Sequence, residues 1–270
     1  MQGRVLIIAG SDSGGGAGIQ ADIKTVTALN GFAMTAITAL TAQNTLGVHA
    51  VHEVPEAFIT RQIEVVLEDL GADVIKLGML HRASVIHAVA DAIERLAPNV
   101  PVVLDPVMVA KGGHALLESD AMAAMKERLI PRARLITPNV PEAESLSGAK
   151  IASVGDLAVV GDKLSRLGCA AVLVKGGHLE DGDSVTDVLW SGGARPEVFT
   201  SPRIDSRHTH GTGCTLASAI ACGLAQGLEL SAAVRRARAY VLEAILSAPQ
   251  FGHGHGPLNH AHTVRDFPDT

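Results

Sequence analysis

Aromatic residues make up only 3% of the 270-residue chain, with one tryptophan and one tyrosine, and there are three cysteines. Cys169, Cys214 and Cys222 are odd in number and widely spaced, with no C-x-x-C pair. That excludes a disulfide framework and a cysteine-built zinc site, and fits a reducing, cytoplasmic setting. No apolar run approaches the roughly 18 residues that a membrane helix needs. The Val5-Leu-Ile-Ile-Ala-Gly10 run is too short, and too soon followed by Asp12, to act as a secretory signal. Nor is there a Lys/Arg run: 22 basic residues against 28 acidic leave a net charge of −6. A nucleic-acid partner is therefore not expected, because backbone phosphates demand a basic face. Disorder is excluded too, since a chain that is 47% hydrophobic can bury enough surface to offset its conformational entropy. Without internal repeats, linkers or composition shifts, residues 1–270 read as one domain.

What the chain does have is an alternation of short apolar runs with segments of helical period. Residues 4–8, 33–40, 74–79, 100–104, 134–136 and 171–174 read as strands. Residues 18–29, 55–70, 84–96, 120–129, a short acidic stretch near Glu142, and 156–167 read as the helices between them. Val5-Leu-Ile-Ile8 lacks polar alternation, so both of its faces are covered, as in a parallel sheet between two helical layers joined by right-handed crossovers. After Gly177 the pattern changes. Residues 187–191 and 197–204, separated by Gly192 and Gly193, read as an antiparallel hairpin at a sheet edge. Two helices close the chain, 215–225 and 231–246, the second carrying Arg235, Arg236 and Arg238 on a solvated face. The expected class is α/β: a three-layer α/β/α sandwich with a mostly parallel central sheet and an antiparallel edge hairpin.

Ligands of open parallel sheets bind beyond the carboxyl ends of the strands. There the chain places Gly10-Ser-Asp12, Thr41-Ala-Gln43-Asn44, Lys76-Leu-Gly-Met79, Asp105-Pro-Val107, Thr137-Pro-Asn139 and Lys175-Gly-Gly177. The strongest local signal is His210-Gly211-Thr212-Gly213-Cys214, directly before an Ala-rich helix. Unpaired amides and the positive helix end make such a terminus an anion hole, and the glycines allow close approach to a phosphate. The same field should depress the thiol pKa of Cys214, as a base or as a small polar contact; the bland alternative is a helix cap with a buried thiol. Asp105 and Glu142, acids at adjacent strand ends, suit hydrated magnesium, although either could instead cap a helix. Lys175, closing a buried strand, suits a phosphate clamp. Together these parts meet the needs of phosphoryl transfer by positioning and charge stabilisation.

Other signals are weaker. Gly16-Ala-Gly-Ile-Gln-Ala21 matches a dinucleotide fingerprint, but the following strand end lacks the ribose-binding acid, and no G-K-[ST] supports a P-loop. That leaves residues 11–18 as a hydrogen-bonding loop over a small polar substrate, with Asp12 and Asp22 as candidate acceptors, or simply as a turn and cap. The tail from Gly252 to His262 holds four histidines, for which a surface turn is the default over a transition-metal site. Lys111-Gly-Gly-His114 is a candidate mobile loop.

Several of these blocks, in order and over nearly the full length, resemble the hydroxymethylpyrimidine/phosphomethylpyrimidine kinases of thiamine biosynthesis, in the ribokinase-like superfamily. They are Ile8–Asp22, Thr41–Thr45, Lys76–Met79, Leu104–Met108, Thr137–Glu144, Val174–His178 and Thr209–Cys214. The resemblance implies a ribokinase-like sandwich, usually a homodimer. The implied phosphotransferase activity uses ATP twice on 4-amino-5-hydroxymethyl-2-methylpyrimidine, giving first the monophosphate and then the pyrophosphate. It implies that Gln43 bonds the aminopyrimidine edge, with Asp22 and the Gly10 backbone nearby, and that Met79 and Val107 pack on the ring. Gly211, Thr212 and Gly213 would form the oxyanion loop, and Cys214 stands where most ribokinase-like sugar kinases carry a catalytic aspartate. Asn139 and Glu142 resemble the N-x-x-E magnesium motif, with Asp105 near the metal, Lys175 and Thr209 near the ATP phosphates, and His210 near the transferred group. ATP and Mg2+ are the implied cofactors, with K+ a further candidate. Competing readings are a pyridoxal-type kinase, which shares the G-T-G-C loop, a non-catalytic ligand sensor, and a nicotinamide oxidoreductase weakened by the missing acid.

Overall fold

Strand β1 (Arg4–Asp12) is buried almost throughout, and its successive side chains go to two different cores. Leu6 and Ile8 join one apolar cluster, while Val5, Ile7 and Ala9 join another. A strand with apolar partners on both faces has to lie between two layers. The structure, a computed structural model, describes residues 2–109, 113, 116–118, 120–179, 182–192 and 195–265. Its sheet contains β2 (Phe32–Asn44), β3 (Gly47–Glu53), β4 (Val74–Leu77), β5 (Val102–Leu104), β6 (Leu135–Ile136), β7 (Val172–Lys175), β8 (Ser184–Trp190) and β9 (Glu197–Pro202) besides β1. The order is β3-β2-β1-β4-β5-β6-β7-β8-β9. The six strands from β2 to β7 along this order are parallel. Strands β3, β8 and β9 pair antiparallel at the two edges.

One helical layer comprises α2 (Glu56–Asp69), α3 (Ala83–Leu96), α4 (Ala121–Ala124), α5 (Val140–Ser147) and α6 (Val154–Ser165). Its Ile59, Ile63, Val89 and Leu157 pack with Leu6, Ile8 and Ile75. The other layer comprises α1 (Gly18–Ala28), α7 (Thr212–Ala225) and α8 (Leu230–Leu246), with Val26, Ile220 and Val234 against Val5 and Ile7. Each fully buried aliphatic side chain contributes about 1.5–3 kcal/mol, so the two clusters hold the strand ends firmly in place. This is the expected three-layer α/β/α sandwich, with the edge hairpin where the sequence pattern predicts it. No helix among the described residues is long and apolar enough to cross a membrane.

Four local expectations need correction. Thr41–Asn44 is not a loop after a strand end: β2 runs on to Asn44 and turns back into β3. The sequence pattern conceals β3 because this edge strand, with His49, His52 and Glu53, has no buried face. The 120–129 helix is broken, α4 passing into a π turn at Met125–Leu129 and a 3-10 turn at Ile130–Arg132, where Pro131 ends it. Arg238 is not on a solvated face. It pairs with Asp187 of β8 and donates to the Val185 carbonyl (3.0 Å), clamping α8 to the hairpin. The His-rich tail is packed rather than loose: Gly256, Leu258 and His260 are buried. Of the expected hairpin turn, Gly193 lies outside the described residues, as do Lys111, Gly112 and His114 of the candidate mobile loop.

Candidate active site

The chain leaves β1 toward β2 on one side and later returns to β4 on the other, so the order reverses at β1, the point where open α/β sheets form a crevice. A cavity of 530 Å³ opens there, walled by the ends of β1, β2, β4 and β7, by the segments after β5 and β6, and by the first turn of α7.

Helix α7 begins at Gly211, which caps it in the left-handed region at φ +85°. A side chain there would collide with the Gly16 carbonyl, so the two glycine loops meet where only glycine fits. The expected helix start at residue 215 moves to Thr212, which puts Gly213 and Cys214 in the first turn, on the cavity wall. Their amides have no intrahelical acceptor, which makes this corner an anion site. Thr209, also on the wall, accepts a hydrogen bond from the Thr212 hydroxyl at its carbonyl (3.1 Å).

Facing this turn, Lys175 Nζ donates to Asp105 Oδ1 at 3.0 Å, and the Thr137 hydroxyl donates to the same oxygen at 3.0 Å. Burial alone would lower the Lys175 ammonium, but Asp105 and Glu142 hold it above its ordinary range. A Cβ on Gly213 would lie 3.3 Å from Lys175 Nζ and 3.5 Å from Asp105 Oδ2, so helix amides, ammonium and carboxylate share one corner. Glu142 closes a capping box on α5: the Asn139 amide donates to Glu142 Oε2 (2.8 Å), and the Glu142 amide donates to Asn139 Oδ1 (2.9 Å). Glu142 therefore caps α5 and at the same time lines the cavity. Burial pushes its carboxyl up to about 7, with Lys175 opposing and Asp105 adding to the rise. Among the described residues no group of three or more His, Cys, Asp or Glu could hold a metal. Magnesium does not need one, because one or two carboxylates complete its shell with water and phosphate oxygens. Glu142, a buried acid whose charge neighbouring Asp105 disfavours, suits a divalent cation.

On the other side Asp12 organises the glycine loop. Its carboxylate accepts the amides of Gly14 (2.8 Å), Gly16 (3.1 Å) and Ala17 (2.8 Å), and His210 Nε2 lies 2.9 Å from it. Burial would raise this carboxyl, but His210 and these amides outweigh it and hold it below the usual range. Gln43 Nε2 lies 3.2 Å from the same His210 nitrogen. Gln43, which lines the cavity, and Asp12 therefore compete for one ring nitrogen of His210. Met79 and Val107 belong to a small apolar cluster, and both line the cavity. A Cβ on Gly10 would run into the Met79 methyl, so glycine keeps this floor flat enough for a ring.

The structure changes two sequence expectations. Asp22 offers no carboxylate to the cavity: it is fully buried, binding Lys76 Nζ at 2.8 and 2.9 Å and accepting from the Ser218 hydroxyl at 2.6 Å. The Cys214 thiol is not depressed; burial pushes it up to about 12, outweighing the nearby Lys76 charge. The sequence reading places Lys76 at a strand end but gives it no role; in the structure it lines the cavity although it is fully buried. The signal was there: a lysine inside the Val-Ile-Lys-Leu strand has to find an acid.

This sheet, with a glycine-rich helix start and a polar-rimmed cavity at its switch point, is that of the ribokinase-like small-molecule kinases. Within that class the chain belongs to the phosphomethylpyrimidine kinase family, whose model matches residues 12–259. It is 52% identical to the thiamine biosynthesis bifunctional protein ThiED of Geobacter sulfurreducens over 99% of its own length, and spans 54% of that longer protein. It is 48% identical to the hydroxymethylpyrimidine/phosphomethylpyrimidine kinase of Bacillus subtilis, covering 95% of this chain and 94% of the relative. Its fold is similar to that of a Bacillus subtilis pyridoxal kinase solved as an ADP complex, with a TM-score of 0.89, 36% identity and coverage of 97% and 98% of the two chains.

Proposed function

We propose that the chain phosphorylates 4-amino-5-hydroxymethyl-2-methylpyrimidine with ATP, and then phosphorylates the monophosphate to the pyrophosphate. The observation that carries this reading is one cavity with two unlike halves. Gly10, Gln43, Met79, Val107 and His210 form a flat, hydrogen-bonding side for the pyrimidine. Thr209, Gly211, Thr212, Gly213, Asn139 and Lys175 form a cationic, amide-lined side for phosphates. In the first step the substrate hydroxyl oxygen bonds to the γ-phosphorus while the bond to the ADP oxygen breaks, and the hydroxyl proton is released. Helix amides and Lys175 neutralise the oxygens of the transferring group; one such donor contributes roughly 10²–10³ in rate. Mg2+, held by Asp105 and Glu142, would screen the ATP phosphates.

A thiol near 12 enters the reaction protonated, so Cys214 positions the hydroxyl rather than waiting as a thiolate. That suits a two-step kinase. In the second step the nucleophile is a phosphate oxygen, which is ionised at neutral pH and needs no base. ATP, Mg2+ and K+ as cofactors, a cytoplasmic location and a homodimer complete the reading on the strength of the family resemblance. Phosphorylation of pyridoxal is the second reading, favoured by the fold similarity to a pyridoxal kinase. Incubation with MgATP and, separately, the pyrimidine alcohol, its monophosphate and pyridoxal, followed by mass spectrometry, tests both. Mono- and pyrophosphorylated pyrimidine is the expected result. Pyridoxal phosphate alone would move the assignment to the second reading, and no transfer to any acceptor would leave only a ligand-binding fold.

A further inference from the structure

The glycine- and histidine-rich tail takes no part in the chemistry above, yet it is bonded to two parts of the fold that the substrate half of the cavity needs and lies beside a third. At its start the His255 amide donates to the Thr45 carbonyl (2.9 Å), and the Gly254 amide to the Thr45 hydroxyl (3.3 Å), at the turn where β2 leaves Gln43 and Asn44 for β3. In its middle the Gly256 carbonyl accepts the His210 amide (3.1 Å), and Pro257 and His210 form a parallel bridge. Pro257 also lies beside the glycine loop: a Cβ on Gly16 would come within 3.3 Å of it. Beyond this the segment is locked far from the cavity. Leu258 is buried, the Asn259 amide donates to the Ala244 carbonyl (3.0 Å), and the Thr263 hydroxyl donates to the Ala28 carbonyl (3.1 Å). His260, also buried, has its Nδ1 3.1 Å from the Tyr240 hydroxyl and 3.4 Å from the Thr25 hydroxyl. The His262 ring lies 4.6 Å from that of Tyr240.

We propose that residues 252–263 form a strap, latched by His260 on Tyr240, that positions His210, and through it Asp12 and the glycine loop, for recognition of the acceptor substrate. His210 has its backbone held by the strap and its ring held by Asp12, so the strap and the loop share one pivot. Tyr240, Thr25 and His260 are absent from the cavity wall, so they act only as positioning residues. Among the described residues the strap makes no bond to Lys175, Asp105, Asn139 or Glu142, which are fixed by β5, β6, β7 and α5 instead. Of the phosphate side it adjoins only the loop through His210. Releasing the latch should therefore weaken acceptor binding far more than ATP binding. A general loss of fold would weaken both.

The test compares the full-length chain with His260→Ala, His260→Gln and Tyr240→Phe in two ways. Hydrogen exchange is followed for residues 10–18 and 208–212, and KM is measured separately for the pyrimidine alcohol and for MgATP. His260→Ala should speed exchange in both segments and raise the acceptor KM about tenfold, with the MgATP KM within about twofold. Tyr240→Phe, a milder change should His260→Ala fold poorly, should shift both readouts in the same direction. His260→Gln, which can donate to or accept from the Tyr240 hydroxyl, should restore most of the loss. Faster exchange confined to 252–263, or equal rises in both KM values, would overturn the proposal. The kinetic arm rests on the kinase reading, whereas the exchange arm does not. A wild-type chain that phosphorylates no acceptor sinks that reading, while exchange at 10–18 and 208–212 still decides the strap.

Discussion

Replacing Lys76 by methionine should be among the most damaging single changes in this protein, and removing its partner as well should repair most of the damage. Lys76 and Asp22 are both fully buried, with Nζ 2.8 and 2.9 Å from the two carboxylate oxygens and the Ser218 hydroxyl 2.6 Å from Oδ1. Burial alone would lower the Lys76 ammonium; the Asp22 carboxylate reverses that and holds it well above its ordinary range. Methionine fills a similar volume but leaves Asp22 as an unpaired buried charge, a defect that costs about 3–5 kcal/mol. Adding Asp22→Asn removes the stranded charge and keeps an acceptor for Ser218, so the double variant should recover to within about 1–2 kcal/mol of the wild type. The cycle is read by urea unfolding. With a slope of about 3 kcal/mol/M, the single variant should lose roughly 1–2 M in midpoint, and the double variant should regain most of it. A single-variant loss below about 1 kcal/mol would refute the reasoning, because it would mean that Asp22 is already protonated in the folded state. Losses that simply add would refute it equally, since independent sites add and a coupled ion pair does not.

Gly213→Ala should separate activity from stability. Its Cβ, 3.3 Å from Lys175 Nζ and 3.5 Å from Asp105 Oδ2, would crowd the anion corner. Turnover should fall by roughly 10²–10³ while thermal stability holds or rises slightly. Cys214→Ala should lower kcat by at least about tenfold with the MgATP KM nearly unchanged, and near-normal turnover would reduce Cys214 to a packing residue. Because burial pushes its thiol up to about 12, alkylation of Cys214 in the native protein should be slow at neutral pH and keep rising through the alkaline range. His260 gives a stability signature of its own. Burial, then nearby Lys24 and His262, bring its pKa from 6.5 down to about 4. The unfolded chain thus takes up a proton that the folded chain refuses. This contribution is fully present above the unfolded value, and about 3 kcal/mol of it is lost as the pH falls toward the folded one. Urea midpoints should show that loss in the wild type and not in His260→Gln.

The layered sheet was legible because apolar runs such as Val5–Ile8 and Val172–Val174 have only one stable environment, burial on both faces. The two glycine loops that meet at the cavity, residues 11–18 and 210–214, were legible for a related reason. Glycine pairs at strand ends and a helix start are local chemistry, and Lys175, Asp105 and Asn139 lie beside them in the parallel register. Which groups meet across the fold was not legible. Asp22 reads as a substrate acceptor until helix packing sets it 54 positions away in sequence from its partner Lys76. Arg238 reads as solvated until the hairpin brings Asp187 to it, and β3 hides because an edge strand needs no apolar face. The Cys214 thiol turned out opposite to the local expectation. A helix terminus lowers a thiol pKa, but desolvation by the surrounding fold raises it further. Periodicity and glycine placement, being short-range, were set by the sequence alone. Pairing, burial and charge state depend on what other segments bring to the same place, and only the tertiary structure decided them.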